Sequence, residues 1–255
     1  MPIVATYFSH RGDRDSNEDA LLIDRELIQT QIQPIQHKTF ESNKALFALA
    51  DGMGGENNGE EASWLVLSQL LQEYETLSVH ESIIDTLHNA KKRLDSEAFT
   101  DSTKRNFGST IAGVLLQGDR ATVFNSGDSR VYRLSGVFLE QLSRDHSHVQ
   151  NLVDRGLLEC TKINHHPHRN LLSSAIVGDL SNTMPQIEIK TIALKPIETF
   201  LICSDGVWEA MSLETMESCF GEPNAIECLI DRVNNSHNRD NFSIIVVEMK
   251  LHPFL

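Results

Sequence analysis

Three acidic residues stand where an apolar run breaks off into glycine or asparagine. Leu46-Phe47-Ala48-Leu49-Ala50 runs into Asp51-Gly52-Met53-Gly54-Gly55, and Phe200-Leu201-Ile202-Cys203-Ser204 runs into Asp205-Gly206. In the third case Arg239-Asp240-Asn241 leads into the apolar run Phe242–Val247. A carboxylate at the mouth of a buried strand is held by a rigid scaffold while its oxygens stay wet, and an adjacent glycine admits a second ligand or a carbonyl. A fourth cluster, Arg14-Asp15-Ser16-Asn17-Glu18-Asp19, sets an arginine among acids just before a strand. Converging carboxylates without histidine or cysteine at ligand spacing suit a hard cation, Mg²⁺ or Mn²⁺, rather than zinc. Two such ions about 3.5–4 Å apart can share a hydroxide and clamp a phosphoryl group for in-line attack. Arginine supplies planar, bidentate contact with phosphate oxygens. The chain offers no covalent route: Gly-x-Ser-x-Gly, Cys-x5-Arg and GxxxxGK[ST] are all missing.

Each piece alone has a plainer meaning. Asp-Gly is commonly a turn, and Gly127-Asp128-Ser129-Arg130 between two strands reads equally as a hairpin turn. Arg14 among acids could be a surface ion pair worth little. In His165-His166-Pro167-His168 the proline breaks helical i, i+4 spacing, so the composition reads as a loop rather than a metal site. Cys203 reads as a buried strand residue and not as a nucleophile. Only in their order and combination do these pieces point to one chemistry.

The elements that must position these groups alternate between short strands and a few longer helices. Strands are expected at Ile3–Phe8, Ala20–Asp24 and Ala45–Ala50, with Glu26–Lys44 as a long loop or an extra hairpin. Leu67, Leu70, Leu71 and Tyr74 follow the spacing of a one-sided helix, and Ile83, Leu87, Ala90 and Leu94 mark a second, capped by Ser78 or Ser82. Then Thr110–Leu116, Ala121–Asn125, Ser129–Leu134 and Val137–Leu142, separated by turn signals, predict an antiparallel meander. A helix is expected over His146–Leu158, an irregular stretch over Glu159–Leu180, and strands at Gln186–Leu194, Thr199–Ser204 and Phe242–Met249. Between the last two, Asn224 and Glu227 resemble a capping box for a helix over Asn224–Asn234. Helices bunched between antiparallel runs describe an α+β sandwich of sheets covered by helices. No repeat or Gly/Ser linker divides the chain, so residues 1–255 read as one domain.

The 22 Lys and Arg against 36 Asp and Glu leave a formal net charge of −14. That balance opposes non-specific binding to nucleic acid or to an anionic membrane, both of which need a basic face. It suits carboxylates gathered around cations. Met1–Tyr7 lacks the basic start and apolar run of a secretory signal, and apolar stretches such as Ala45–Ala50 fall far short of the ~20 residues that span a bilayer. A cytoplasmic, monomeric protein is expected. Its four cysteines, Cys160, Cys203, Cys219 and Cys228, form no CxxC pair, and free thiols in a reducing cytosol are expected.

Taken together, Arg14-x-x-Asn17-Glu18-Asp19, Asp51-Gly52-Met53-Gly54-Gly55, Gly108-Ser109-Thr110, Gly127-Asp128-Ser129-Arg130, Asp145-His146, Ser204-Asp205-Gly206 and Asp240-Asn241-x-Ser243 resemble the metal-dependent serine/threonine protein phosphatases of the protein phosphatase 2C (PPM) type, in family order from about residue 5 to residue 249. Met53 and the stretch His166–Leu172 look like the bacterial branch. The resemblance implies a four-layer α-β-β-α sandwich with two central antiparallel sheets and a binuclear Mn²⁺/Mg²⁺ centre at one end. It implies that Asp51 bridges both ions, that the Gly52 carbonyl binds one, and that Asp205 and Asp240 bind the other. Glu18 would reach the first ion directly or through water, and Asp128, paired with Asp205, marks a weaker third metal. Asp19 would hold a metal-bound water and Arg14 the substrate phosphate, with residues 147–182 as a flap beside the cleft. The implied reaction is direct attack of metal-activated hydroxide on phosphoserine or phosphothreonine in proteins, within a kinase pathway or a related switch.

Three departures stand out. Met53 replaces a histidine proposed as general acid in some members, and methionine has no proton to donate. Ser243 replaces the more usual threonine, and the Gln-rich Glu26–Lys44 segment is longer than a minimal bacterial relative needs. None removes a metal ligand, which weighs against a pseudophosphatase serving as a binding module. A phosphohydrolase of small molecules would share the same chemistry. Lys162, His165, His166, His168 and Arg169 form a candidate basic lip for the phosphoprotein.

Overall fold

The computed structural model describes residues 2–54, 58–78, 80–159, 162–163, 166–237 and 239–250. Its strands, numbered along the chain, sort into two antiparallel sheets. The first holds β1 (Pro2–His10), β4 (Ile32–Glu41), β9 (Arg130–Ser135), β10 (Phe138–Gln141), β13 (Ile197–Cys203) and β14 (Phe242–Lys250), in the order β10-β9-β13-β14-β1-β4. The second holds β2 (Asp19–Ile23), β3 (Glu26–Ile28), β5 (Lys44–Met53), β6 (Gly108–Ser109), β7 (Ile111–Gln117), β8 (Arg120–Ser126), β11 (Ile176–Val177) and β12 (Glu188–Ala193). Along it β3-β2-β5-β7-β8-β12 are neighbours, β6 continues β7 in the same register on β5, and β11 pairs with β6.

The burial pattern shows why these runs are continuously apolar. On β5, Ala45, Phe47 and Leu49 face the core between the sheets, while Leu46, Ala48 and Ala50 face a second core under α1 (Asn58–Gln72) and α2 (His80–Thr100). A strand buried on both faces needs no polar alternation. On the far side, Leu201, Ile244 and Val246 of the first sheet pack against α4 (Asp205–Trp208), α5 (Leu213–Cys219) and α6 (Ala225–Asn234). The order helices, sheet, sheet, helices is the expected four-layer sandwich. Among the described residues no helix is long and apolar enough to cross a membrane.

Several expectations are corrected. The four runs from Thr110 to Leu142 are not one meander: β7 and β8 pair in the second sheet, whereas β9 and β10 pair in the first. Gly127-Asp128-Ser129 is therefore a crossing between sheets and not a hairpin turn. Glu26–Lys44 is neither a loop nor a self-paired hairpin, since β3 pairs with β2 and β4 with β1. Pro34 is tolerated because β4 is an edge strand. The helix α3 (His148–Asp154) is shorter than predicted, capped by the Ser147 hydroxyl accepting from Gln150 N at 3.2 Å and followed by Gly156 at φ +68°. Asn224 forms no side-chain cap on α6. Finally, Cys219 and Cys228 are joined by a disulfide because the turn between α5 and α6 brings their Cα atoms to 5.4 Å. Cys203 is free and buried, and Cys160 lies outside the described residues.

Candidate active site

Two crossings between the sheets, residues 11–18 after β1 and 127–129 after β8, lie at the end of the sandwich where β5 and β13 finish and β14 begins. There a cavity of about 780 Å³ opens, lined by Arg14, Glu18, Asp51, Gly52, Asp205 and Asp240 among others. Sequence separations of up to 226 residues collapse into one site: Arg14 Nη2 donates to Asp240 Oδ2 at 2.7 Å. Gly55, in the run after Asp51, lies outside the described residues.

The backbones of Asp51 and Glu18 are held from behind. Thr110 N donates to the Asp51 carbonyl at 2.8 Å, Asp51 N donates to Thr110 Oγ1 at 3.1 Å, and the Ser109 hydroxyl donates to the Asp51 carbonyl at 2.9 Å. The Gly108-Ser109-Thr110 motif is thus a clamp on Asp51. Glu18 N donates to Asn241 Oδ1 at 2.8 Å, and Asn241 Nδ2 donates to the Arg11 and Ser16 carbonyls, so one asparagine pins the whole 11–18 crossing to β14. The Ser63 hydroxyl of α1 donates to the Glu18 carbonyl at 2.6 Å. Glycine is required at two places: a Cβ on Gly52 would stand 2.0 Å from the Gly59 carbonyl oxygen, and one on Gly59 would stand 2.6 Å from the Glu18 carboxylate.

Asp19 and Asp128 do not line the cavity but lie behind its wall, 1% and 5% exposed. Asp19 Oδ2 accepts from the Ser204 hydroxyl at 3.0 Å, and Ser243 N donates to that same hydroxyl oxygen at 3.0 Å. Ser204 is consequently spent on Asp19 and gives α4 no side-chain cap. Asp19 Oδ1 is buried with no protein partner. The Asp128 carbonyl accepts from Trp208 Nε1 at 3.0 Å. Arg130 of the same motif stacks on Trp208 at 3.6 Å and grips Asp145 with two nitrogens, so Arg130 and Asp145 brace the crossing instead of facing the cavity.

Burial and mutual repulsion dominate the electrostatics. Asp51 is held well above the usual carboxylate range first by burial and then by Asp19, Asp205, Asp128 and Asp240. Asp205 is raised likewise by burial, then Asp128 and Asp240. Burial pushes Asp19 and Asp128 up to about 7, and raises Glu18 against the lowering influence of Arg14. Clustered carboxylates that oppose one another's ionisation, with an unspent buried oxygen on Asp19, form a donor set that a hard divalent cation would relieve.

Local sequence pattern marks the lining groups but not those that hold them. Asn241 and Thr110 sit inside motifs whose ligand chemistry belongs to their neighbours, while Ser63 and Gly59 lie on α1, whose sequence signal is its apolar spacing. Of the basic lip, Arg169 reaches the cleft rim and pairs with Glu209 at 3.6 Å, whereas Lys162 pairs locally with Glu159. His166 and His168 pack against His148, with ring centroids 5.7–6.3 Å apart, and His165 lies outside the described residues.

Comparison with known proteins agrees with this arrangement. Residues 9–240 match the family model for protein phosphatase 2C. The serine/threonine protein phosphatase PstP of Mycobacterium tuberculosis is 30% identical over 211 residues, covering 80% of this chain but 40% of that protein, so this chain spans well under half of that relative's length. The crystal structure of the M. tuberculosis serine/threonine phosphatase PstP/Ppp superposes with a TM-score of 0.81 at 26% identity, covering 98% of this chain and 100% of that one. The catalytic domain of PstP in complex with 2 manganese ions has the same fold at TM-score 0.76 and 23% identity, over 97% and 99% of the two chains. By the family model's match over most of its length, the chain belongs to the protein phosphatase 2C family.

Proposed function

We propose that this chain is a metal-dependent protein serine/threonine phosphatase. The observation that carries the proposal is the convergence of Glu18, Asp51, Asp205 and Asp240 with Arg14 on one open cavity, from segments scattered along the whole chain. Glu18, Asp51, the Gly52 carbonyl, Asp205 and Asp240 would hold two Mn²⁺ or Mg²⁺ ions, as many as the manganese ions bound to the PstP catalytic domain, and Asp128 a weaker third. When bound, such ions supply the concentrated positive charge that activates water and neutralises a phosphoryl group.

The chain's own residues do the rest. Arg14, its side chain 61% exposed, turns from Asp240 to grip phosphate oxygens bidentately. Asp19, just behind the cavity wall with Oδ1 unspent, would orient water for the attack. The clamps from Thr110, Ser63 and Asn241 keep these groups fixed, so no reorganisation is needed as charge develops. Met53 lines the cavity but has no proton to donate, so the leaving oxygen's proton would come from water or from another group at the site. The substrates would be phosphoproteins made by serine/threonine kinases.

The test is hydrolysis of a phosphothreonine peptide by chelator-stripped protein titrated with Mn²⁺ or Mg²⁺. Metal-dependent phosphate release supports the reading. Silence from folded, metal-loaded protein across several phosphopeptides would move the fold to a binding role, and a preference for nucleotides or sugar phosphates would make it a small-molecule phosphohydrolase.

A further inference from the structure

At Met53 the carboxylate-lined cavity runs into a second cavity of about 630 Å³. One wall comes from the stretch 171–175, the other from α2 and residues 177–186. Its apolar lining is Met53, Leu171, Leu172, Val177, Met184 and Pro185. Leu171 is 55% and Met184 43% exposed, two large apolar groups that the chain itself leaves uncovered. The cation on the floor is already spent: Lys91, 3% exposed, donates to Asp95 at 2.6 Å and Asp179 at 2.7 Å.

This wall is preformed. Leu180 holds a left-handed backbone, φ +59°, which costs a non-glycine residue and persists only where its surroundings fix it. Here Leu180 N donates to Asp95 Oδ1 at 3.0 Å, and Ser181 N and its hydroxyl both donate to Asp179 at 3.0 Å. A further cavity that shares Arg14 and Asp240 with the carboxylate site is polar instead, lined by Asn170, Glu209 and Arg239 among others. A peptide with its phosphate at Arg14 therefore has both a polar and an aliphatic surface within reach.

We infer that the groove beside Met53 is a subsite for an aliphatic side chain of the phosphoprotein substrate. This rests on the phosphatase reading above. Met53 lines both the carboxylate cavity and the groove, so the aliphatic side chain belongs to a residue close in sequence to the phosphorylated one. Two methionines in the lining adapt to differing shapes, so Leu, Ile, Val and Met are all accepted.

The experiment is a set of phosphothreonine peptides in a Ser/Ala background, each with one leucine between positions −3 and +3, assayed with the Mn²⁺-loaded chain, Leu171→Ser and Met184→Ser. Turnover of p-nitrophenyl phosphate, which has no side chain for the groove, reports whether the cavity is intact. One leucine position should lower KM about tenfold at constant kcat, as burial of an aliphatic side chain predicts. Both variants should lose most of that gain while still hydrolysing p-nitrophenyl phosphate. A flat KM across the peptides overturns the inference, as does a gain retained in both variants or an equal loss on p-nitrophenyl phosphate. In each of those cases turnover by the unsubstituted chain leaves the phosphatase reading standing. No turnover of any phosphoester by that chain would remove both.

Discussion

The two sides of the cleft are built differently. The carboxylate side is set on strand ends: Asp51 closes a strand buried on both faces and Asp205 opens the short helix after another. Behind them, Thr110, Asn241, Ser63 and Ser204 supply bonds from distant segments. The other side is built from the described residues between 147 and 182, where Asp179 and Leu180 are anchored to Lys91 and Asp95 of α2. Ser147 bridges Leu172, Ser173 N donates to the His146 carbonyl at 2.8 Å, and β11 rests on β6. Among the described residues between these ties are a seven-residue helix and the exposed Leu157 and Leu171. On the function proposed above, the rigid side would carry the chemistry and the other side would discriminate between substrates, because groups that stabilise developing charge must be preorganised whereas a recognition wall can vary.

The largest expected effect tests the rigid side. Asp205→Asn or Asp240→Asn should reduce phosphopeptide hydrolysis to background while circular dichroism stays unchanged; full activity in either would contradict the metal assignment. Arg14→Ala should cost about 10²-fold in kcat/KM, mostly through KM, in line with the truncation of a charge-assisted contact. If only thermal stability moved, Arg14 would be a surface ion pair. Next come the groups that act through others. Asn241→Ala and Ser63→Ala should weaken Mn²⁺ activation about 10–100-fold, with rescue at high metal concentration, because removing a supporting partner misplaces its ligand. Unaltered metal dependence would show that Glu18 is placed by its own backbone alone.

The acid cluster also predicts a pH effect on the chelated protein. Asp19, Asp51, Asp128 and Asp205 all have raised folded-state pKa values, so the folded state binds more protons than the unfolded one above pH 4. The stability these four groups contribute is then greatest below the unfolded value near 4 and is lost as pH rises toward about 7, the value reached by Asp19 and Asp128. Tm should decline over that window by about 2–4 °C per kcal/mol of repulsion. Mn²⁺ should reverse the decline and Asp51→Asn should flatten it. A Tm that rises over the same window in chelator would show that the carboxylates do not oppose one another. The smallest effect belongs to Lys162: because it pairs locally with Glu159, neutralising it should change kcat/KM less than about twofold.

The sequence exposes the two sides unequally. Asp51 and Asp205 are legible because each interrupts an apolar run, a signal written by burial itself. Asp128 is not legible in the same way. Turn chemistry at Gly127-Asp128 is the same whether the chain turns back within a sheet or crosses to the other, and only β9 pairing with β13 decides it. β4 hides for the opposite reason, since an exposed edge strand carrying Pro34 shows no apolar alternation. The Cys219–Cys228 disulfide depends on how α5 and α6 meet, which a spacing of nine residues does not encode. The clamps on Glu18 and Asp51 depend on contacts between segments as far apart as residues 18 and 241, which local pattern cannot reveal.

The central claim is that carboxylates from both sheets converge to hold divalent ions. Calorimetric titration of Mn²⁺ into the chelator-stripped chain, alongside Asp205→Asn, tests it most directly. The account predicts two tight equivalents for the unsubstituted chain and at most one for the variant. No binding, or equal stoichiometry and affinity in both proteins, would contradict it.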